Sequence, residues 1–191
     1  MTALLLLAFT APPIDELPEG WAKVDGGEHA FEAAFPGEAK RRKVIDKDPN
    51  GNPVEVTAIQ AGNSNITYFV GISAFDDPEY LKQSKKIVFD NSRDGALKRS
   101  KGKLVKENDV KLGTIEGRDF TISVAQGANF VRARLFVANG RLYSTLIAAK
   151  AEADTDSKDA KRFFNSFKIL EPAKAKEKKK DEKTTAPNKV G

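Results

Sequence analysis

The sequence predicts an α+β domain: an antiparallel sheet of about seven to nine strands, flanked by one long central helix and a short C-terminal helix. Three observations predict it. Short runs alternate apolar and polar residues, and each is closed by Gly, Pro or Asn-Gly. A polar stretch between two groups of such runs opens with Asp77-Pro78-Glu79, a helix-start signal. The last apolar cluster, Phe163, Phe164 and Phe167, has helical spacing.

The elements follow in order. Trp21 to Val24 opens the first strand, and His29 to Phe35 places Phe31, Ala33 and Phe35 on one face before Pro36-Gly37 ends it. Ala39 to Ile45 and Val54 to Ile59 flank a polar turn and read as a hairpin with a long loop. Ile66, Tyr68, Val70 and Ile72 share one face of the next strand. In the helix Asp77 caps the free amides, Pro78 suits the first turn, and Leu81, Val88 and Leu97 face inward up to about Arg99. Gly95 weakens that helix, and a break near Asn91 is compatible with the pattern.

Four further strands are expected: Lys103–Val110, Thr114–Val124, Phe130–Val137 and Leu142–Ala149. Asn139-Gly140 joins the last two and is a strong hairpin signal. In the third of them Val131, Ala133, Leu135 and Val137 point inward, so Arg132 and Arg134 point outward together. A short helix from about Asp156 packs the three phenylalanines, and Ile169 and Leu170 close the domain.

Composition narrows the chemistry. There is no cysteine, which removes disulfides, thiol nucleophiles, thiolate zinc sites and a lipoprotein attachment cysteine. The net charge of +5 is too small to demand a polyanionic partner. Ala3 to Phe9 is an apolar run too short to span a bilayer, and it resembles the apolar part of a secretory signal without the basic start. The organisation expected is a signal-peptide remnant over 1–11, a proline-rich linker over 12–20, the domain over 21–172, and a disordered lysine-rich tail over 173–191. An extracytoplasmic location, periplasmic or secreted, is expected with no transmembrane span.

Four segments together resemble the PsbP-like and DcrB-like domains of bacteria and plastids. They are the strand end Phe35-Pro36, the segment Ile115-Glu116-Gly117-Arg118-Asp119-Phe120, the hairpin Arg134–Ile147 with Gly140 and Tyr143, and the closing Phe163-Phe164-Asn165-Ser166-Phe167. The resemblance covers about residues 20–170. It implies an antiparallel sheet flanked by helices and an accessory or binding role outside the cytosol. It brings no catalytic motif. The missing lipoprotein cysteine departs from the DcrB-like members.

No residue is assigned a catalytic role. His29, the single histidine, shares parity with Phe31 and belongs at the sheet's core-facing edge. A Ser–His–Asp hydrolase would need it, but no Gly-x-Ser-x-Gly elbow exists. Gly95 to Lys103 contains Gly-Lys without the spacing of a phosphate loop. Asn65-Ile66-Thr67 is a glycosylation sequon at a strand start.

Two segments carry site expectations. Asp46, Asp48 and Asn50, followed by Gly51, match the first half of a Ca²⁺ loop, whose alternating oxygens curl round a hard cation. Position twelve is Thr57 rather than the bidentate Glu, so a polar turn is expected, with a weak Ca²⁺ site as the alternative. No other cofactor is expected. The second is basic. Lys82, Lys85, Lys86, Arg93, Lys98 and Arg99, extended by Lys101 and Lys103 and opposed by Asp90 and Asp94, form a helix face suited either to solvent or to an anionic surface. The reading is a non-enzymatic binding or accessory module. A nucleic-acid or anionic-surface binder and an enzyme with a carboxylate or cation site are the alternatives.

Overall fold

The computed structural model describes residues 17–47, 51–74, 80, 81 and 83–171. The expected signal remnant, most of the linker, the lysine-rich tail, the helix start Asp77-Pro78-Glu79 and the site candidates Asp48, Asn50 and Lys82 lie outside them.

Alternation builds ten strands: β1 (Trp21–Asp25), β2 (Phe31–Pro36), β3 (Lys40–Lys47), β4 (Pro53–Gly62), β5 (Ile66–Ala74), β6 (Lys103–Leu112), β7 (Ile115–Val124), β8 (Asn129–Ala138), β9 (Arg141–Ala149) and β10 (Lys168–Ile169). Helices α1 (Lys85–Ser100) and α2 (Lys158–Ser166) complete the α+β fold. The strands form two antiparallel sheets rather than one. The larger has the order β3-β4-β5-β9-β8-β7-β6, and the smaller has β1-β2-β10. The β8–β9 turn is as expected: Asn139 at φ 52° and Gly140 at φ 66° both adopt the left-handed region that a two-residue hairpin turn of matching twist requires.

The large sheet is covered on both faces. Tyr68, Val70 and Ile72 of β5 and Tyr143 and Ile147 of β9 pack against β2 and α2. All three C-terminal phenylalanines are buried there. Phe163 meets Phe35 edge-on at 5.3 Å and Tyr68 at 5.4 Å, and Phe167 stacks on Phe136 at 6.1 Å. The Ser166 hydroxyl accepts the Ala34 amide at 2.8 Å and donates to the Phe163 carbonyl, tying the end of α2 to β2. On the opposite face, Val88 and Phe89 of α1 pack with Phe120, Ile122, Ala133 and Leu135 of β7 and β8.

Three local features differ from expectation. The described helix begins at Lys85, where the Ser84 side chain accepts the Ile87 amide, and it runs unbroken through Asn91 and Gly95. Tyr80 and Leu81, also helical, precede it with a bend at Gln83 between, and the Asp77 cap lies outside the described residues. His29 ends a 3-10 turn (Gly27–His29) rather than starting β2. Arg132 and Arg134 do share the face opposite Ala133 and Leu135, but that face lies beneath α2, not in solvent.

Phe167→Ala should cost about 3–5 kcal/mol. Ile45→Ala, at a side chain 69% exposed, should cost under about 0.5 kcal/mol. Urea unfolding of both variants measures the contrast; near-equal values would contradict the core assignment.

Candidate binding cleft

Strand β7 presents opposite charges to opposite layers, because consecutive side chains point to opposite faces. Arg118 faces α1. It pairs with Glu107 of β6, with Asp90 of α1 at 3.3 Å and with Asp109 at 3.0 Å. Arg93 of α1 reaches the same Glu107 at 2.8 Å, so the two guanidinium groups and two carboxylates cross-brace helix and sheet. Burial pushes the Glu107 carboxyl up, but hydrogen bonds and charge from Arg118 and Arg93 outweigh it and hold the group below its ordinary value.

Asp119 faces the other layer and is buried. It accepts from Arg132 at 2.8 Å and from Arg134 at 2.8 Å. Both guanidinium groups lie over the Phe164 ring, at 5.3 Å and 4.5 Å from its centre. The aromatic face and the carboxylate together replace the water these arginines lose.

Helix α1 packs mainly over β7 and β8. Beyond it, the helix-side face of β3, β4, β5 and β9 forms the floor of a cleft of about 390 Å³. The floor is apolar, with Val56, Phe69, Leu142 and Leu146 on it. Phe69 lies flat because Gly71 has no side chain; a Cβ there would stand 2.7 Å from the Phe69 ring. The wall is the small-residue side of α1, including Ser92, Gly95 and Ala96. The Ser92 hydroxyl donates to the Val88 carbonyl at 2.8 Å and the Ser144 hydroxyl to Gly71 at 3.2 Å, so both are spent on backbone. Arg99, Lys47 and Asp46 stand at the rim, Arg99 and Asp46 4.0 Å apart.

The residues singled out in the sequence fall in different places. Of the basic set, Arg93 is a brace with its side chain only 18% exposed. Lys85 reaches Glu116 at 3.5 Å, and Lys86 holds Asp90 at 2.6 Å. Lys98 is exposed, and Arg99 belongs to the cleft rim. Asp46, at the end of β3, is likewise a rim residue. His29 is largely buried, which lowers its basicity. Sequence reasoning missed Phe69, Gly71 and Ser144. Their signal is that β5 and β9 are apolar on both faces, the mark of a strand covered on both sides.

Comparison with protein-family models and with curated proteins finds no match. Among solved structures, the chain is similar to cyanobacterial PsbP from Synechocystis, with a TM-score of 0.57 and 13% identity over 85% of this chain and 99% of that one. A second similarity, at a TM-score of 0.42 and 12% identity over 80% of this chain and 99% of the other, is to PA94 of Pseudomonas aeruginosa, a protein of unknown function. The class defined is the PsbP-like fold. The segments that suggested it serve architecture: Gly117 makes room for the Phe136 ring, and the Tyr143 hydroxyl donates to the His29 carbonyl at 2.9 Å.

Asp119→Asn should destabilise the protein by about 3–5 kcal/mol, because it removes the buried anion that two partly buried arginines share and leaves Arg132 only the exposed Asp156. Denaturant unfolding measures this, and a loss under about 1 kcal/mol would contradict the bracing role. Glu107 makes a separate, pH-dependent contribution. Its carboxyl is depressed in the fold, so its stabilisation is complete above the unfolded value of 4.5 and is lost as pH falls through the folded one. The loss of stability on acidification below that value should be shallower in Glu107→Gln, as followed by thermal unfolding across pH.

Proposed function

We propose that this protein is a non-enzymatic binding or accessory module that works outside the cytoplasm and takes its ligand in the cleft between α1 and the sheet. The observation that carries this reading is the division of labour between charge and apolar surface. The densest ionic clusters, around Glu107 and Asp119, join layers of the fold, whereas the cleft over β4, β5 and β9 leaves apolar side chains facing a cavity. A cavity near 390 Å³ lies within the roughly 300–1,000 Å³ range of small-molecule sites.

The extracytoplasmic location is supported by the apolar run Ala3 to Phe9. Among the described residues no helix is long and apolar enough to cross a membrane. A role for α1 as a purely electrostatic surface has less support, because Lys85, Lys86 and Arg93 are already paired with carboxylates.

A neutral apolar dye such as Nile red tests the reading. Its emission should rise and shift to the blue with the parent protein. Ser73→Phe, which places a ring on the cleft floor, should abolish the change without lowering the unfolding temperature. No dye response from the parent, or an undiminished response from the variant, would contradict the assignment.

A further inference from the structure

We propose that the ligand of the cleft is a single-chain amphiphile: an unbranched hydrocarbon chain ending in an anionic head group. This rests on the cleft being the binding site and adds the chemical class of its occupant.

The floor decides the body of the ligand. Strands β4, β5 and β9 are each paired on both sides, β4 with β3 and β5, β5 with β4 and β9, and β9 with β5 and β8. Their backbone N–H and C=O groups are therefore engaged in the ladders. The hydroxyls of Ser92 and Ser144 donate to backbone carbonyls. Away from the rim, Ser73, Asn91 and Tyr80 are the other polar side chains in a mainly apolar lining, so a peptide or sugar laid on this floor would lose more hydration than those groups can replace. A hydrocarbon chain asks for no hydrogen bonds. The flat Phe69 ring, with Val56 and Leu146, offers it van der Waals contact along the sheet.

The rim decides the head. Arg99 and Lys47 oppose one carboxylate, Asp46. That carboxylate is itself engaged: its Oδ1 accepts the Lys47 amide at 2.8 Å, and its Oδ2 stands 4.0 Å from Arg99. A guanidinium carries five donors, and one contact at that distance uses little of this capacity. The position of Arg99 is favoured by Gly95, where a Cβ would stand 3.3 Å from an Arg99 terminal nitrogen. Glycine inside a helix costs about 1 kcal/mol relative to alanine, and here it opens the wall of the cleft and lets the guanidinium fold back towards it.

Isothermal titration of the full chain, with each ligand below its micelle concentration, tests the proposal. The probes are laurate, dodecanol, dodecyltrimethylammonium and lauroyl lysophosphatidylglycerol. Laurate should bind at least tenfold more tightly than dodecyltrimethylammonium, and Arg99→Glu should reverse that order. From hexanoate to laurate, affinity should rise by up to roughly fourfold per methylene. Lysophosphatidylglycerol binding at least as tightly as laurate would identify a lipid headgroup as the source of the anion; weaker binding would identify a free carboxylate. Equal affinity for anionic, neutral and cationic chains, a flat chain-length series, or no effect of Arg99→Glu overturns the proposal. If no chain binds while Nile red still enters in a Ser73-dependent manner, the amphiphile is wrong and the cleft stands. If the dye fails as well, the binding reading falls with it.

Discussion

Two-sided burial of the seven-stranded sheet is the constraint on which the rest of this structure depends. Strands β5 and β9 carry large apolar side chains on both faces: Tyr68, Val70 and Ile72 on one, Phe69, Leu142 and Leu146 on the other. Such a sheet cannot face water on either side without losing the stabilisation that forms it. The chain supplies cover unequally. The small sheet and α2 bring Phe31, Phe35, Phe163 and Phe167 to one face in a continuous aromatic core. Among the described residues, α1 with Tyr80 and Leu81 covers mainly the β7–β8 half of the other, and the cleft lies beside them.

Charge acts as a fastener in this arrangement. Because neighbours on a strand alternate in direction, Arg118 and Asp119 of β7 secure opposite layers from adjacent positions. Both networks are partly screened from solvent, where ion pairs are costly unless each member has several partners. Glu107 serves two arginines, and so does Asp119. A basic segment that looks in the sequence like an anion-binding face is thereby divided, with Arg93 fixed to the sheet and Arg99 left at the cleft rim.

Local signals made much of the fold legible. Period-two alternation marked β1 through β9, Asn139-Gly140 marked the β8–β9 turn, and the Phe163–Phe167 spacing marked the helix that closes the core. Features set by tertiary context were not legible. Ser84 was not read as a cap, because a serine inside a polar run gains that role only where Val88 and Phe89 pack the helix onto the sheet. The two-residue strand β10 has no periodicity to read; its pairing with β2 comes from the path of the chain after α2. Arg132 and Arg134 were placed on the correct side of β8, yet nothing local says that α2 will lie over them. The cleft was invisible for the same reason, since it depends on where α1 crosses the sheet.

The cleft beside α1 on the large sheet is the surface proposed to take a ligand. Amide chemical shifts of the isotope-labelled protein, followed during a laurate titration, test this most directly. The account predicts saturable shifts concentrated at Val56, Phe69, Ser73, Ser144 and Leu146 and along the Asn91–Arg99 side of α1, with β2 and α2 unmoved. Shifts centred on β2 and α2, or none at saturating ligand, would contradict it.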